Sequence, residues 1–217
     1  MANPTSPELE QLIAGYRRFR DNGWTPHRER WERLREGQEP KVMIIACSDS
    51  RVDPAQVFDT DPGEMFVVRN VAAMVPPFET TPGHHGVSAA LEFAIQVLKV
   101  KEVVVMGHGM CGGCRAALTQ EMAGTARGQG GFVADWISLL DDARKPVVAE
   151  HGTTGRTAER AMELAGVKAS LANLRTFPWV QEKEAAGELT LRGAFFAISD
   201  GILHLLDEET GAFTPAA

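Results

Sequence analysis

At 217 residues the chain is long enough for one domain with a substantial core, so it needs no disulfide staples. A 44% hydrophobic content beside 24% charged residues speaks against disorder, and a net charge of −7 against a protein that neutralises nucleic-acid phosphates. Three cysteines, an odd number, do not make a disulfide framework, and no apolar run is long enough to span a bilayer. Residues 1–20 hold no apolar stretch of signal-peptide length, since Arg17, Arg18 and Arg20 interrupt any candidate, which with reduced thiols points to the cytoplasm.

Taken in order, the pattern predicts a helix over 6–22. Ser6 is its N-cap, Pro7 its first helical residue, and Leu9, Leu12, Ile13 and Tyr16 keep helical spacing until Asn22-Gly23 closes it. A second, highly charged helix over 26–36 carries Trp31 and Leu34; a solvated amphipathic arm accounts for both. Residues 41–47 form a first buried strand, 54–58 a short helical turn, 60–63 a turn and 65–69 a second strand. After a proline-punctuated loop comes a helix with Val87, Ala90, Leu91, Ala94 and Leu98 on one face. A third strand over 102–106 then completes a βαβ unit, with the usual right-handed crossover. A short helix follows to about residue 122, then a glycine-rich loop over 124–131. Phe132, Val133, Trp136, Ile137 and Leu140 mark a further helix, ended by Pro146. A long helix over 155–175 turns Leu164, Val167, Leu171 and Leu174 inward, and 189–199 with 202–206 form a hairpin about Asp200-Gly201. The fold expected is α/β: a mostly parallel central sheet flanked by helices, with a C-terminal hairpin or edge strand and an N-terminal helical arm. No linker divides it, so 1–217 reads as a single domain with 1–36 as its arm.

Two strand ends carry chemistry. The run Val103-Val104-Val105-Met106 stops at Gly107-His108-Gly109-Met110-Cys111-Gly112-Gly113, and Val42-Met43-Ile44-Ile45-Ala46 stops at Cys47-Ser48-Asp49-Ser50-Arg51. Parallel strands ending side by side would bring Cys47, His108 and Cys111 together where open α/β sheets bind ligands. Two thiolates and an imidazole with one position left open make a catalytic zinc set. On packing grounds alone both cysteines need only be small buried hydrophobes. Asp49 and Arg51 can meet in a turn; as a mere surface pair they would contribute well under about 1 kcal/mol. Gly112 and Gly113 open a helix whose N-terminus favours an anion, although a tight turn explains them too. Cys114 completes Cys-x-x-Cys with Cys111, the spacing of a redox pair. His84 and His85 read as surface or capping residues.

These paired motifs, with the intervening Pro62-Gly63-Glu64-Met65-Phe66-Val67-Val68-Arg69-Asn70-Val71-Ala72, resemble the β-class carbonic anhydrases from about residue 41 to 118. The resemblance implies one zinc ion per chain on Cys47, His108 and Cys111. It implies reversible hydration of carbon dioxide to bicarbonate and a proton, by zinc-hydroxide attack. It also implies a catalytic dyad in which Arg51 holds Asp49 as a carboxylate; released, Asp49 would become a fourth zinc ligand in a closed form. Gly112 and Gly113 would then face bicarbonate, and Phe66, Val71 and Ala72 would offer carbon dioxide an apolar wall, though core packing explains Phe66 equally well. The N-terminal helices of such proteins reach a neighbouring subunit, which implies a homodimer or a multiple of one. The chain departs from plant-type members at Asp61, where they carry glutamine. It departs at Ile44 from bacterial members that place there a tryptophan of a second bicarbonate site; nothing therefore favours closure. Rival readings are the same zinc fold acting on a sulfur analogue such as carbon disulfide, and a thiol oxidoreductase using Cys111 and Cys114.

Overall fold

The computed structural model describes residues 6–216, which fall into two compact units parting after Gln38. In the first, α1 (Pro7–Phe19) starts where expected: Ser6 Oγ accepts the Leu9 N–H at 3.2 Å, and Pro7 follows it. Asn22-Gly23 does not end the helix. A π-type turn from Arg20 to Trp24 prolongs it to Thr25, whose hydroxyl donates to the Arg20 carbonyl at 2.7 Å. The second helix, α2 (Arg28–Arg35), sets Trp31 edge-on to Phe19 with ring centroids 5.8 Å apart. Neither helix buries a residue, and Leu12 stands 70% exposed.

The second unit runs β1 (Val42–Cys47), α3 (Pro54–Val57), β2 (Met65–Asn70), α4 (Gly86–Glu92), β3 (Glu102–His108), α5 (Gly112–Thr119), α6 (Gly131–Ile137), α7 (Asp141–His151), α8 (Arg156–Leu174), α9 (Pro178–Ala185), β4 (Thr190–Ala197), β5 (Ile202–Leu206) and β6 (Phe213–Pro215). The strands lie in the order β2-β1-β3-β4-β5-β6. The first four are parallel, and β5 and β6 add on antiparallel, so the mostly parallel sheet with a C-terminal hairpin stands. β1 and β3 are central and buried on both faces, as their β-branched runs require. Alternate residues feed opposite cores: Met43, Ile45, Val103 and Val105 pack with Leu91, Ile95, Val167 and Leu171. Ile44, Ala46 and Met106 turn the other way, toward Val57 and Phe58.

Four local expectations are corrected. β3 does not stop at Met106, because β4 pairs with it as far as His108 opposite Phe196. α5 ends at Gln120, which turns left-handed (φ 54°). Pro146 lies inside α7 rather than ending a helix; it is exposed, so the Asp142 carbonyl it leaves unpaired is on the water-facing side. Leu164 is half-buried, and its neighbour Glu163 is buried instead. Two elements, α9 and β6, are additions to the sequence pattern.

Candidate metal centre

From β1 the chain crosses to β2 on one side and then to β3 on the other. The carboxyl ends of β1 and β3, in register through Ala46 and Met106, therefore flank the switch point of the sheet. Cys47 ends β1, His108 ends β3, and Cys111 is the N-cap of α5. All three are buried, and their ligand atoms lie within 4.8 Å of one another. His108 Nδ1 faces the Gly109 carbonyl at 2.9 Å. A carbonyl only accepts, so Nδ1 carries the proton and the Nε2 lone pair is free. Nε2 is buried with no hydrogen-bond partner, a cost that a cation removes. Without a cation both thiols are held protonated. A hydrogen bond with Cys111, then burial, push Cys47 up to about 12; a hydrogen bond with Cys114 is the main cause that pushes Cys111 up to about 12. A divalent cation reverses that balance by binding both sulfurs as thiolates. The donor set fits zinc.

Asp49 is outside this group. Arg51 grips it by a two-pronged contact, Nε to Oδ1 at 2.9 Å and a terminal nitrogen to Oδ2 at 2.7 Å, while the Arg51 N–H adds 3.0 Å to Oδ1. These bonds hold the Asp49 carboxyl well below the usual carboxylate range. The same guanidinium donates to the Met110 carbonyl at 3.0 Å, tying the Asp49 turn to the Cys111 loop. A cavity of ≈ 460 Å³ opens here, lined by Asp49, Arg51, Cys111 and Gly112 among others.

The two glycines differ. A Cβ on Gly112 would meet nothing within 4 Å, whereas one on Gly113 would meet Val71 Cγ1 at 2.8 Å, so Gly113 is required for α5 to close on the residues after β2. Val71 is thus brought beside the site. Phe66 is not: it pairs with Met43, four residues or about 13 Å down the sheet from the Cys47–Asn70 pair, and packs on the core and against Phe93. Within one chain its place is a core position. His85 bonds locally to Thr81 and Glu79.

Three supporting residues escape a reading by motif chemistry. Arg69 donates to the carbonyls of Cys47 (2.9 Å) and Asp49 (2.6 Å) and pairs with Asp53 at 2.7 Å, clamping the whole Cys47–Asp53 turn. Asn70 brackets Met74 by two 2.8 Å bonds, holding Ala72 and Ala73 in left-handed backbone at φ 64° and 55°. Glu163, 3% exposed, accepts the Cys111 N–H at 3.1 Å, and burial pushes its carboxyl pKa up. The only signals were an arginine and an asparagine in a strand and an acid on the apolar face of a helix.

The carbonic anhydrase family profile matches residues 42–203. The chain is 34% identical over 211 residues to beta carbonic anhydrase 3 of Arabidopsis thaliana, spanning 96% of this chain and 80% of that protein. Its fold superposes on the β-carbonic anhydrase CcaA with a TM-score of 0.89 at 29% identity, covering 96% and 99% of the two chains. A Coccomyxa β-carbonic anhydrase solved with acetazolamide gives 0.81 at 29% identity over 96% and 93%. Tetrameric β-carbonic anhydrases from Sordaria macrospora give 0.72 at 29% identity over 95% of each chain. Neither carbon disulfide hydrolysis nor thiol–disulfide exchange finds support among these relatives. A site at the switch point of the sheet, a family profile spanning most of the second unit and a fold shared nearly end to end agree: the chain belongs to the β-class carbonic anhydrases, enzymes of reversible carbon dioxide hydration.

Proposed function

We propose that this chain hydrates carbon dioxide on one zinc ion held by Cys47, His108 and Cys111. The observation that carries the reading is the convergence of two buried sulfurs and a partnerless His108 Nε2 within 4.8 Å. Zinc, when bound, supplies the Lewis acidity that lets water lose a proton near neutral pH. With two thiolates nearly offsetting the ion's charge, the protein must assist. Asp49 does so as an acceptor: held ionised by Arg51, it takes a hydrogen bond from the attacking oxygen and directs its lone pair to the carbon. Val71 offers carbon dioxide an apolar contact beside Gly113. The N-terminus of α5 at Gly112 favours the negative charge that forms as bicarbonate appears. Product and proton leave through the cavity beside Asp49 and Arg51.

The grip of Arg51 on Asp49 supports an open site, with the fourth coordination position left to water or a small anion. The exposed Leu9, Leu12, Tyr16 and Phe19 of α1 support a helical arm that covers a second copy. Assembly as a homodimer or a multiple of one agrees with tetrameric relatives. No described helix is long and apolar enough to cross a membrane, and three free cysteines suit the cytoplasm.

The test is stopped-flow carbon dioxide hydration with metal analysis on the same sample. One zinc per chain and rapid turnover are expected. Cys47→Ser, His108→Ala and Cys111→Ser should each lose both, while Cys114→Ser, outside the ligand group, keeps its zinc. Full zinc and full turnover in Cys111→Ser would sink the assignment.

A further inference from the structure

Glu163 is a buried carboxylate for which the reaction above has no use. Its Oε1 accepts the Cys111 N–H at 3.1 Å, and its Oε2 is buried without a hydrogen-bond partner. α8 brings it there only because β3 carries Gly107. A Cβ at Gly107 would meet Val167 Cγ2 at 2.6 Å and approach the Glu163 backbone oxygen at 3.6 Å. Just before the Cys111 N–H lies Met110, a non-glycine residue at φ 58°, a conformation that persists only where surroundings impose it. Glu163 holds the N–H of the Met110–Cys111 peptide unit, and Arg51 holds its carbonyl at 3.0 Å. That peptide unit is thereby held at both ends, and with it the direction in which Cys111 presents its sulfur.

We propose that Glu163 is a positioning residue for the metal: by accepting the Cys111 N–H it sets the Cys111 sulfur facing Cys47 and His108 before any cation arrives. This rests on the zinc reading above. What matters is an acceptor at this place, joined to α8, rather than the bulk of the side chain. Partners that orient a ligand without touching the metal typically govern about 10- to 100-fold in affinity.

The test uses the full chain stripped of metal. Zinc affinity is measured by competition with a chromophoric chelator, and ligand geometry by the visible absorption of the cobalt(II)-loaded protein. Glu163→Leu removes both acceptors at similar volume and should weaken zinc binding about 10- to 100-fold, with displaced cobalt bands. Glu163→Gln keeps a carbonyl oxygen and should lose less than about tenfold, with bands in place. Val167→Ala, which loosens α8 without touching the loop, should lower thermal stability and leave affinity within that same limit. Glu163→Leu binding zinc as tightly as the parent would overturn the proposal, as would an equal loss in Val167→Ala or Glu163→Gln. Should Glu163→Leu fail to fold, the cobalt bands of Glu163→Gln decide: unmoved bands support the role and displaced bands refute it. A parent protein that takes up no zinc is a separate outcome and removes the proposed function itself.

Discussion

At the scale of single residues, the distinction that matters is between side chains that react and side chains that hold them. The proposed reacting set could be picked out in the sequence because each half is contiguous: Cys47, Asp49 and Arg51 share one turn, and His108 and Cys111 another. Arg69 and Glu163 were not legible, since each acts on backbone groups 20 or more residues away, and no local pattern marks such a partner. Phe66 shows the converse: it stands within the motif yet sits well down the strand from the ligands. The Asp49–Arg51 pair gives a prediction. Arg51→Ala frees both Asp49 and the Met110 carbonyl by removing the charge-assisted bonds that hold them, so kcat/KM should fall on the order of 10- to 100-fold. Arg51→Lys keeps the charge without the fork and should fall between. Parent-like kcat/KM in Arg51→Ala would refute the pairing role. The sign for pH follows from the lowered Asp49 pKa. The pair's contribution is complete above the ordinary carboxylate pKa of about 3.9 and is lost only as pH falls through the lower folded value. Asp49 therefore stays ionised across neutral pH, and any rise of activity near neutrality belongs to another group.

Among the elements, β3 and α8 together make the site. The valine run announced β3, but its last two residues depend on pairing with β4, a strand more than eighty positions later, so the sequence pattern ended it early. Gly107 looked like a stop signal, and its function is the close approach of α8. Gly107→Ala places a methyl group 2.6 Å from Val167 Cγ2 between two rigid elements. Forcing them apart should cost about 1–3 kcal/mol, read as a lower urea midpoint. An unchanged midpoint would mean the two elements yield easily. Gly112→Ala, facing open space, should show no such steric loss. Pro146 misled for a related reason: a proline inside a helix costs less where water can solvate the freed carbonyl, and here the segment is exposed.

Across the whole molecule, the parallel sheet and its switch point followed from the alternation of strand and helix, whereas α9 and β6 were missed. α9 begins at Pro178, a residue that reads as punctuation and here occupies the first helical turn. The three-residue β6 is too short to show a period and exists through its pairing with β5. The N-terminal unit is helical as expected but has no buried residue among its described residues. An isolated pair of short helices is marginal in water, so its exposed apolar side chains call for a partner surface. Sedimentation of the full chain should give a dimer or a multiple of one. Deleting residues 1–36 should give aggregated or inactive protein, and a soluble, active monomer would contradict the arm.

The dependence of the ligand loops on α8 has a consequence in time. Glu163 reaches back 52 positions to Cys111, Ser170 95 to Val75, and Asn173 98 to Val75. All three proposed ligands thus leave the ribosome before the helix that holds the Cys111 loop and Val75. At roughly 5–20 residues per second, the interval between making Cys111 and Leu174 is about 3–13 s. During that interval the Cys111 loop lacks its bond to Glu163 and the three cysteines lack their packing against Ala158 and Met162, so the thiols are expected to be open to oxidants. On the zinc reading, selection of the right ion is therefore expected only once synthesis of the main unit is nearly complete.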